Sequence, residues 1–502
     1  MSTYTRLLKL GTYYTIGNVL SRALSFFFIP IYTYYLTTSD YGIVSLMGVS
    51  VGLISTLFMS PIINGFTRFY YSPDYKNKQK ILVFNTYLVI IFQFVIISFL
   101  FYLASRYLAG TILDDRSLFS VVKVYAIILF LSPIEAFNLQ FVRLIEKAAL
   151  FVIVSLSRFL LTAGLVIYLL VVVKLTFWAL VFGELFGLLF TIAATYPAIR
   201  KNFEFVFSPD SLKQPLKYGY PIILTGVSNF LIQSGDRYVL RFLNSVRDVG
   251  LYSFGYKFAG IIDMAVSAPL RLSINPLVYQ QEDQPEKLKS FLKDTANYFY
   301  YFGCLSCLGL SLFGYEILKI MVRRKEFLDS WSIVPIIAFS YIHQGLGNIV
   351  GKGIVMAKKS FHISALVVIV ALVNIGLNFV FIPLWGILGA AFATLIAFII
   401  WNALYIYYSS KFYNMDFDSV RLGILTVLTA GFYIISLPTA RTDSVWIALS
   451  IKALIMFVFC GLVYSVFLKN EERRRLKLFL LKIVKTRPSR SIRSRKTRGP
   501  HE

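Results

Sequence analysis

Four basic side chains lie inside long apolar segments of this 502-residue chain, where a charge is costly to place. Arginine presents a planar fork of donors that matches phosphate oxygens, and it stays charged. A column of such cations could hold a multiply charged anion, such as a diphosphate, while that anion leaves water. We therefore predict a cationic, substrate-binding cavity formed by Arg22, Lys257, Arg271 and Arg158.

The depth of each cation in its segment sets how strongly it points to a cavity. Arg22 lies about 21 Å into the first segment at 1.5 Å per residue, too deep for its side chain to reach the membrane surface easily. Arg158 lies only about 12 Å into its segment, where reaching the surface is plausible. Lys257 and Arg271 are separated by close to four helical turns and therefore share one helix face. The alternative is that Arg22 and Arg271 pair with carboxylates or carbonyls for structural reasons alone.

Carboxylates share these apolar segments with the cations. A carboxylate in a membrane either binds a coupling proton or sodium ion, or neutralises a nearby cation. Neutralisation is the favoured interpretation for the group, and Glu135 is the best ion-site candidate because of its depth. The coupling-ion candidates are Glu135, Asp263 and Glu184.

Two ion pairs that the sequence suggests are not expected to form. Asp263 and Arg271 are eight residues apart on roughly one stripe, too far along it for direct contact. Asp236 and Arg237 are sequence neighbours, so they should point to different faces and not pair along the helix.

The elements that position these residues follow from hydropathy. The chain is 57% hydrophobic and 15% charged, with a mean hydropathy of +0.69, which is typical of a polytopic membrane protein. Apolar stretches long enough to span a bilayer predict an all-α protein with about 14 transmembrane helices. They lie near residues 8–34, 43–65, 82–105, 121–142, 150–172, 176–197, 218–240, 250–275, 292–315, 333–355, 361–383, 386–409, 421–438 and 446–468.

A repeated pattern predicts how these helices are arranged. Lys9, Gly11, Asp40, Gly42 and Ser45 recur 208 positions later as Lys217, Gly219, Asp248, Gly250 and Ser253. Six predicted helices separate equivalent positions, so the repeat is parallel and gives two pseudo-symmetric six-helix bundles plus two C-terminal helices. The two aspartates are most simply helix N-caps.

The repeat and the loops together predict the boundaries of the chain's parts. These are an N-terminal bundle (1–199), a cytoplasmic connecting loop (200–217), a C-terminal bundle (218–410), two additional transmembrane helices (411–468) and a basic cytoplasmic tail (469–502).

The net charge of +25 is explained by where the cations lie. With the N-terminus inside, cytoplasmic segments carry about 32 cations and outer loops about 11, so both termini are predicted to be cytoplasmic, in the inner or plasma membrane. Nucleic-acid binding need not be invoked. The three histidines have no ligand spacing and the three cysteines lie in apolar segments, so we predict neither a metal site nor a cofactor.

The chain resembles a known family, the Wzx-type polysaccharide flippases, which transport O-antigen and exopolysaccharide units. Their superfamily also contains the MATE drug exporters and the lipid II flippases. The carrying features are Leu7–Gly11 with Arg22, the Leu36–Gly42 turn, Arg68–Tyr70 at the end of the second span, and Asp236-Arg237 followed by Asp248 and Gly250.

The resemblance implies two bundles facing across a cavity and alternating access. It also implies a substrate, undecaprenyl diphosphate bearing an oligosaccharide unit, carried from the cytoplasmic to the outer leaflet for O-antigen, lipopolysaccharide or similar surface polysaccharide. In the lipid II branch, cations on the first, second and eighth helices line the cavity. Arg22, Lys257 and Arg271 match the first and eighth, whereas the second span has only Arg68, at its cytoplasmic end.

Other functions remain open. A MATE-like ion-coupled drug exporter would favour acids for cationic drugs, and the excess of cations within these spans argues against it. A membrane glycan polymerase or glycosyltransferase would need a large outer loop or an acidic catalytic dyad near the outer surface. No predicted outer loop exceeds about 17 residues, against about 50 for a small domain. We expect no enzymatic activity. The expected partners are the lipid-linked glycan, membrane lipids, H⁺ or Na⁺ as the coupling ion, and the glycan polymerase machinery.

Arg22 carries the sharpest prediction from the sequence. Replacing Arg22 with Ala should abolish outward delivery of the lipid-linked glycan, because the first cation of the column is lost. Membrane insertion and abundance should stay intact, as measured by immunoblotting of membrane fractions. Normal delivery by this variant would contradict the cationic column.

Overall fold

The computed structural model is all-helical over the part of the chain it describes, which confirms the predicted fold class. The described residues are 26–280, 284–441, 444–468, 470, 473 and 474. Arg22, the first copy of Lys-x-Gly and most of the basic tail lie outside them.

Up to residue 200, the described chain forms seven α-helices. They are α1 (Ile29–Tyr35), α2 (Thr38–Phe69), α3 (Gln79–Leu103), α4 (Ser105–Leu108), α5 (Phe119–Leu144), α6 (Ala148–Val171) and α7 (Phe177–Arg200). A π-helical turn, Ala109–Leu113, follows α4.

Beyond residue 200, the described chain forms twelve more α-helices. They are α8 (Asp210–Gly219), α9 (Ile223–Ser234), α10 (Asp236–Leu243), α11 (Val246–Ile262), α12 (Ala268–Gln280), α13 (Pro285–Met321), α14 (Val334–Val350), α15 (Lys352–Met356), α16 (Ser360–Trp385), α17 (Ile387–Tyr413), α18 (Ser419–Ser436) and α19 (Val445–Leu462). A π-helical turn, Asp263–Ser267, joins α11 to α12, and a 3₁₀ segment, Lys325–Ile333, leads into α14.

Eleven helical segments among the described residues are long and apolar enough to cross a bilayer. The first predicted span falls mostly outside those residues. The predicted seventh and eighth spans are helical but are not among these eleven. In the seventh span α9 and α10 meet at Gly235, and in the eighth α11 continues into α12 through the π-helical turn Asp263–Ser267. Both spans carry charged residues, which lower their mean hydropathy. The number fourteen therefore stays a prediction.

The starts of α2 and α11 are built alike. Thr37 caps α2 by accepting from the Asp40 backbone N–H at 3.1 Å, and the Asp40 carboxylate accepts from the Thr37 N–H at 2.8 Å. Ser245 accepts from the Asp248 N–H at 3.1 Å in the same way. The caps are therefore the hydroxyl residues, and the prediction that the aspartates are N-caps was wrong by three positions. Each aspartate instead bonds back to its cap: Asp40 completes a capping box with Thr37, and Asp248 accepts from the Ser245 hydroxyl at 2.8 Å.

The repeat residues meet where α2 crosses α11. A Cβ atom on Gly42 would lie 2.0 Å from the Val246 carbonyl oxygen, and one on Gly250 would lie 1.8 Å from the Thr38 carbonyl oxygen. In both cases the opposing carbonyl belongs to the residue four positions before the partner's glycine. Such reciprocal contact is what a twofold axis through the crossing produces. One turn further, the hydroxyls of Ser45 and Ser253 are 2.6 Å apart.

The predicted connecting loop contains an ordered anchor and the amphipathic helix α8. Asn85, buried in α3, donates to the Val206 carbonyl at 2.8 Å and accepts from the Ser208 N–H at 2.9 Å. At the end of α8, Gly219 packs against α2, because a Cβ there would lie 2.0 Å from the Pro61 carbonyl oxygen. The segment is thus held against α2 and α3.

Two compact units share the chain, Met1–Leu422 and Gly423–Glu502. The first contains α1 to α17. The second contains most of α18 and α19, where the rings of Phe432 and Phe459 pack with centroids 5.3 Å apart. The boundaries predicted from the sequence at residues 199, 217, 410 and 468 stay predictions.

Candidate functional site

A cavity of about 620 Å³ lies beside the crossing of α2 and α11. Its walls come from α1, α2, α5, α6, α7, α9, α10 and α11, so segments from both repeats contribute. Ser45 and Ser253, which hydrogen bond at the crossing, both line it. The volume is within the usual range of ligand sites, about 300–1,000 Å³.

Lys257 on α11 is a predicted substrate-binding residue that lines this cavity. Its side chain is exposed to the cavity, and its Nζ lies 6.0 Å from the ring centroids of both Tyr32 and Tyr41. Within the described part of the chain, no carboxylate lies within ion-pairing distance of that Nζ. The cavity therefore contains a cation whose charge is not neutralised by a described acid.

Arg237 on α10 also lines the cavity, and sequence reasoning missed it as a site residue. Its Nη1 bonds to the carboxylate of fully buried Asp236 at 3.0 Å, and that carboxylate accepts from the Tyr252 hydroxyl at 2.5 Å. The guanidinium carbon lies 4.7 Å from the Tyr256 ring centroid. A signal was available, since an Asp-Arg pair inside an apolar span is a candidate site by its cost alone.

The expectation that Asp236 and Arg237 do not pair was wrong. The spacing rule describes side chains that project straight out from a helix. Arg237 instead turns back past the start of α10 and also donates at 2.9 Å to the carbonyl of Gln233, near the end of α9. Its long side chain can therefore reach the carboxylate of its neighbour.

Arg158 on α6 bridges two carboxylates from two other helices. Its Nη1 is hydrogen bonded to Glu135 on α5, and its Nη2 lies 2.9 Å from Glu184 on α7. Gly187 leaves room for the guanidinium, because a Cβ there would lie 3.0 Å from the Arg158 Nε. Two acids around one arginine give the group a formal charge of −1 when both are ionised.

A second cavity, of about 360 Å³, lies against this arginine. Arg158 and Thr191 line it, and Glu184 and Tyr32 line both this cavity and the larger one. Glu184 therefore connects the two cavities electrostatically.

Arg271 and Asp263 form a bidentate ion pair, with distances of 2.7 Å and 3.2 Å. The expectation that they lie too far apart was wrong. It assumed a regular α-helix, whereas the chain between them contains the π-helical turn Asp263–Ser267. That wider turn alters the register of the two side chains, and the long arginine closes the remaining gap. The described lining of the larger cavity includes neither residue.

The four predicted cations thus have different surroundings. Lys257 lines the larger cavity, Arg158 lines the smaller one between two acids, and Arg271 is paired with Asp263. Arg22 lies outside the described residues. Their binding roles stay predictions, as do the ion-binding roles of Glu135, Glu184 and Asp263.

Solved structures identify the fold. This fold is similar to that of the lipid II flippase MurJ in an inward closed conformation, with a TM-score of 0.70 and 17% identity over 90% of this chain and 99% of that chain. The inward-facing structure of a MATE family multidrug transporter of the MOP superfamily gives a TM-score of 0.64 and 12% identity over 80% of this chain and 96% of that chain. The Vibrio cholerae MATE transporter VcmN in its bent form gives a TM-score of 0.52 and 13% identity over 81% of this chain and 98% of that chain. The chain is therefore a multi-pass membrane protein with the MurJ and MATE fold.

The sequence defines the family more narrowly. The profile of the family described as "Polysaccharide biosynthesis protein" matches residues 7–280, and the chain belongs to this family. The probable low-salt glycan biosynthesis flippase Agl15 of Haloferax volcanii is 23% identical over 251 residues, which cover 50% of this chain and 52% of that protein. The match thus spans about half the length of this curated relative. The resemblance inferred from the sequence is confirmed at the level of the family, and the fold is the one that MurJ and the MATE transporters share.

The Arg158 bridge generates a stability prediction. Replacing Arg158 with Gln leaves the buried Glu135 carboxylate without its cation, which should cost about 3–5 kcal/mol. The double variant Arg158→Gln with Glu135→Gln removes both charges and should recover most of that loss. Thermal unfolding of the full chain in detergent measures both. A single variant as stable as the parent protein would contradict a pairing role.

Proposed function

We propose that this protein is a flippase that moves undecaprenyl-diphosphate-linked oligosaccharide units from the cytoplasmic to the outer leaflet by alternating access. The observation that carries the proposal is a cavity lined by the buried Arg237 and by Lys257, which forms no ion pair with a carboxylate of the described residues, in a chain of the polysaccharide biosynthesis family. A diphosphate carries several negative charges, and such a cavity replaces part of its lost hydration with fixed cations and hydroxyls.

Lys257 is the primary diphosphate ligand in this proposal. The rings of Tyr32 and Tyr41 flank its Nζ, each with its centroid 6.0 Å away. Arg237 strengthens the positive field, although its own charge is shared with Asp236. A lipid diphosphate that enters the cavity therefore meets a cation that needs a counter-ion.

Arg22 is the second proposed ligand, and the repeat supports it. Its counterpart 208 positions later is Phe230, which lines the cavity. Val49, the counterpart of Lys257, lines the cavity as well. Under the twofold relation, the position of Arg22 is therefore expected to face the same cavity.

Arg158 and Arg271 are proposed to bind substrate only after their carboxylates release them. Protonation of Glu135, or binding of H⁺ or Na⁺ by Glu184 or Asp263, would weaken the ion pairs and free a guanidinium. Coupling to an ion gradient would then change the number of cations that the diphosphate meets. Binding of ion and substrate would be linked reciprocally.

Alternating access requires the α2–α11 crossing to separate. Hydrogen bonds add to the two glycine contacts at the start of α2. The charge distribution predicts that this end of the helix faces outward. The Thr38 hydroxyl donates to Glu326 at 3.1 Å, and the Arg324 Nε donates to the Tyr34 carbonyl at 3.2 Å. We propose that these contacts break when the cavity opens outward to deliver the glycan, for O-antigen or similar surface polysaccharide.

We also propose a membrane location and a downstream partner for the protein. It lies in the inner or plasma membrane with both termini in the cytoplasm, and it passes its product to glycan polymerase machinery on the outer side.

The second candidate function is ion-coupled drug export. Glu184 favours it, because a carboxylate on the cavity could bind a cationic drug. Sensitivity of deletion strains to cationic drugs separates the two functions.

Replacing Lys257 with Gln should lower the transport rate at least about tenfold, because a charge-assisted bond to phosphate is worth about 1.5–3 kcal/mol. Lys257→Arg keeps the charge and should retain most activity. The measurement is the initial rate at which proteoliposomes translocate a labelled undecaprenyl-diphosphate oligosaccharide. Parental rates in the Gln variant, with equal reconstitution, would refute the role of Lys257.

Cross-linking tests the separation of α2 from α11. Ser45→Cys with Ser253→Cys should form a disulfide, since the native hydroxyls are 2.6 Å apart. The oxidised double variant should stop transporting, and a reductant should restore transport. Each single cysteine variant is the matched control and should transport under both conditions. Full transport by the cross-linked protein would show that the crossing does not open.

A further inference from the structure

A groove of about 250 Å³ runs along the outside of the first repeat, between α3 and α5, away from the residues that line the central cavity. Val95, Phe99, Ile127 and Phe130 give it an apolar surface. Phe99 is 60% exposed, and Val95 and Ile127 are each 49% exposed. In a membrane such a groove faces lipid chains.

One end of the groove is charged and aromatic. Tyr102 lines this end, and the Lys123 Nζ lies 4.9 Å from its ring centroid and 5.1 Å from that of Phe119. No carboxylate of the described residues forms an ion pair with Lys123. The lysine is therefore held between two rings at the mouth of the groove, with its charge available to an anion.

A polar atom lies one helical turn further in. Ser98 lines the groove and is 8% exposed, and its Oγ has no hydrogen-bond partner among the described residues. A buried hydroxyl without a partner loses free energy that a ligand's acceptor would restore. Ser98 and Tyr102 are four residues apart, so their Cα atoms are separated by about 6 Å along the axis of α3.

The order along the groove is thus a cation, then a hydroxyl donor, then an apolar channel. A glycerophospholipid has the matching order of a phosphate, ester carbonyls and acyl chains. The phosphate would pair with Lys123, an ester carbonyl would accept from Ser98, and an acyl chain would lie against Val95 and Phe130.

We propose that this groove is a binding site for an anionic glycerophospholipid of the surrounding membrane. The leaflet is the one at the end of α3 and the start of α5, which the cation distribution predicts to be the outer leaflet. The site is separate from the central cavity, so the proposal stands whether or not the protein is a flippase. Bound there, the lipid would seal the α3–α5 contact on the face of the bundle that meets the bilayer.

Native mass spectrometry of the purified full chain tests this site, with dioleoyl phosphatidylglycerol and dioleoyl phosphatidylcholine as probes. The parent protein should show one phosphatidylglycerol-binding event that is about fivefold tighter than any phosphatidylcholine event, the factor expected for one lysine at a membrane surface. Lys123→Gln should remove that preference.

Two further variants keep the result interpretable. Lys174→Gln removes an exposed cation elsewhere in the same half, and it should leave the preference unchanged. Ile127→Trp fills the groove without altering charge, and it should remove the tight event. The proposal is overturned if Lys123→Gln binds phosphatidylglycerol like the parent protein, or if the parent protein binds both lipids equally. Equal loss in Lys174→Gln and Lys123→Gln would also overturn it, because net charge alone would then explain the preference.

Discussion

The close approach of α2 and α11 is the contact on which the rest of the described structure depends. Gly42 and Gly250 have no Cβ, so each helix can rest against a backbone carbonyl of the other. Any side chain at either position would have to occupy the space of that carbonyl and would force the helices apart. The hydroxyls of Ser45 and Ser253 continue the contact by one turn, and the central cavity begins there. The crossing therefore determines where the two repeats touch and how deep the cavity lies.

Equivalent positions of the two repeats face the cavity but differ in charge. Val49 on α2 and Lys257 on α11 occupy equivalent positions of the repeat, and both line the cavity. A duplicated scaffold explains why both positions face inward, but it does not explain a lysine on one side alone. A cation in a membrane cavity is costly, so its presence at one of two equivalent positions points to a ligand rather than to packing. The asymmetry is thus more informative about function than the repeat itself.

Sequence reasoning was effective where one helix determines the outcome. Hydropathy predicted most spans, and the 208-residue offset predicted that Gly42 and Gly250 have related environments. Sequence reasoning failed for ion pairs that depend on how helices pack or on an irregular turn. The partners of Arg158 come from α5 and α7, and no spacing in the sequence relates Glu135 to Glu184. The Asp263–Arg271 pair depends on a π-helical turn, which leaves no hydropathy signal. The sequence therefore predicts helices well, but predicting which buried charges form ion pairs requires the three-dimensional structure.

The charges on the first repeat suggest how an ion could act on the substrate without a large movement. Glu184 lines both cavities, whereas Glu135 is buried behind Arg158. A positive ion that neutralises Glu184 would remove a negative charge from the wall of the central cavity and would also loosen one of the two bonds that hold Arg158. Both effects would raise the positive potential beside Lys257, where we propose that the diphosphate binds. Since a coupling free energy is reciprocal, the bound diphosphate would in turn strengthen retention of the ion at Glu184. Ion and lipid that favour each other in this way travel together, so an exchange of one for the other would require Glu184 to be ionised while the diphosphate is bound.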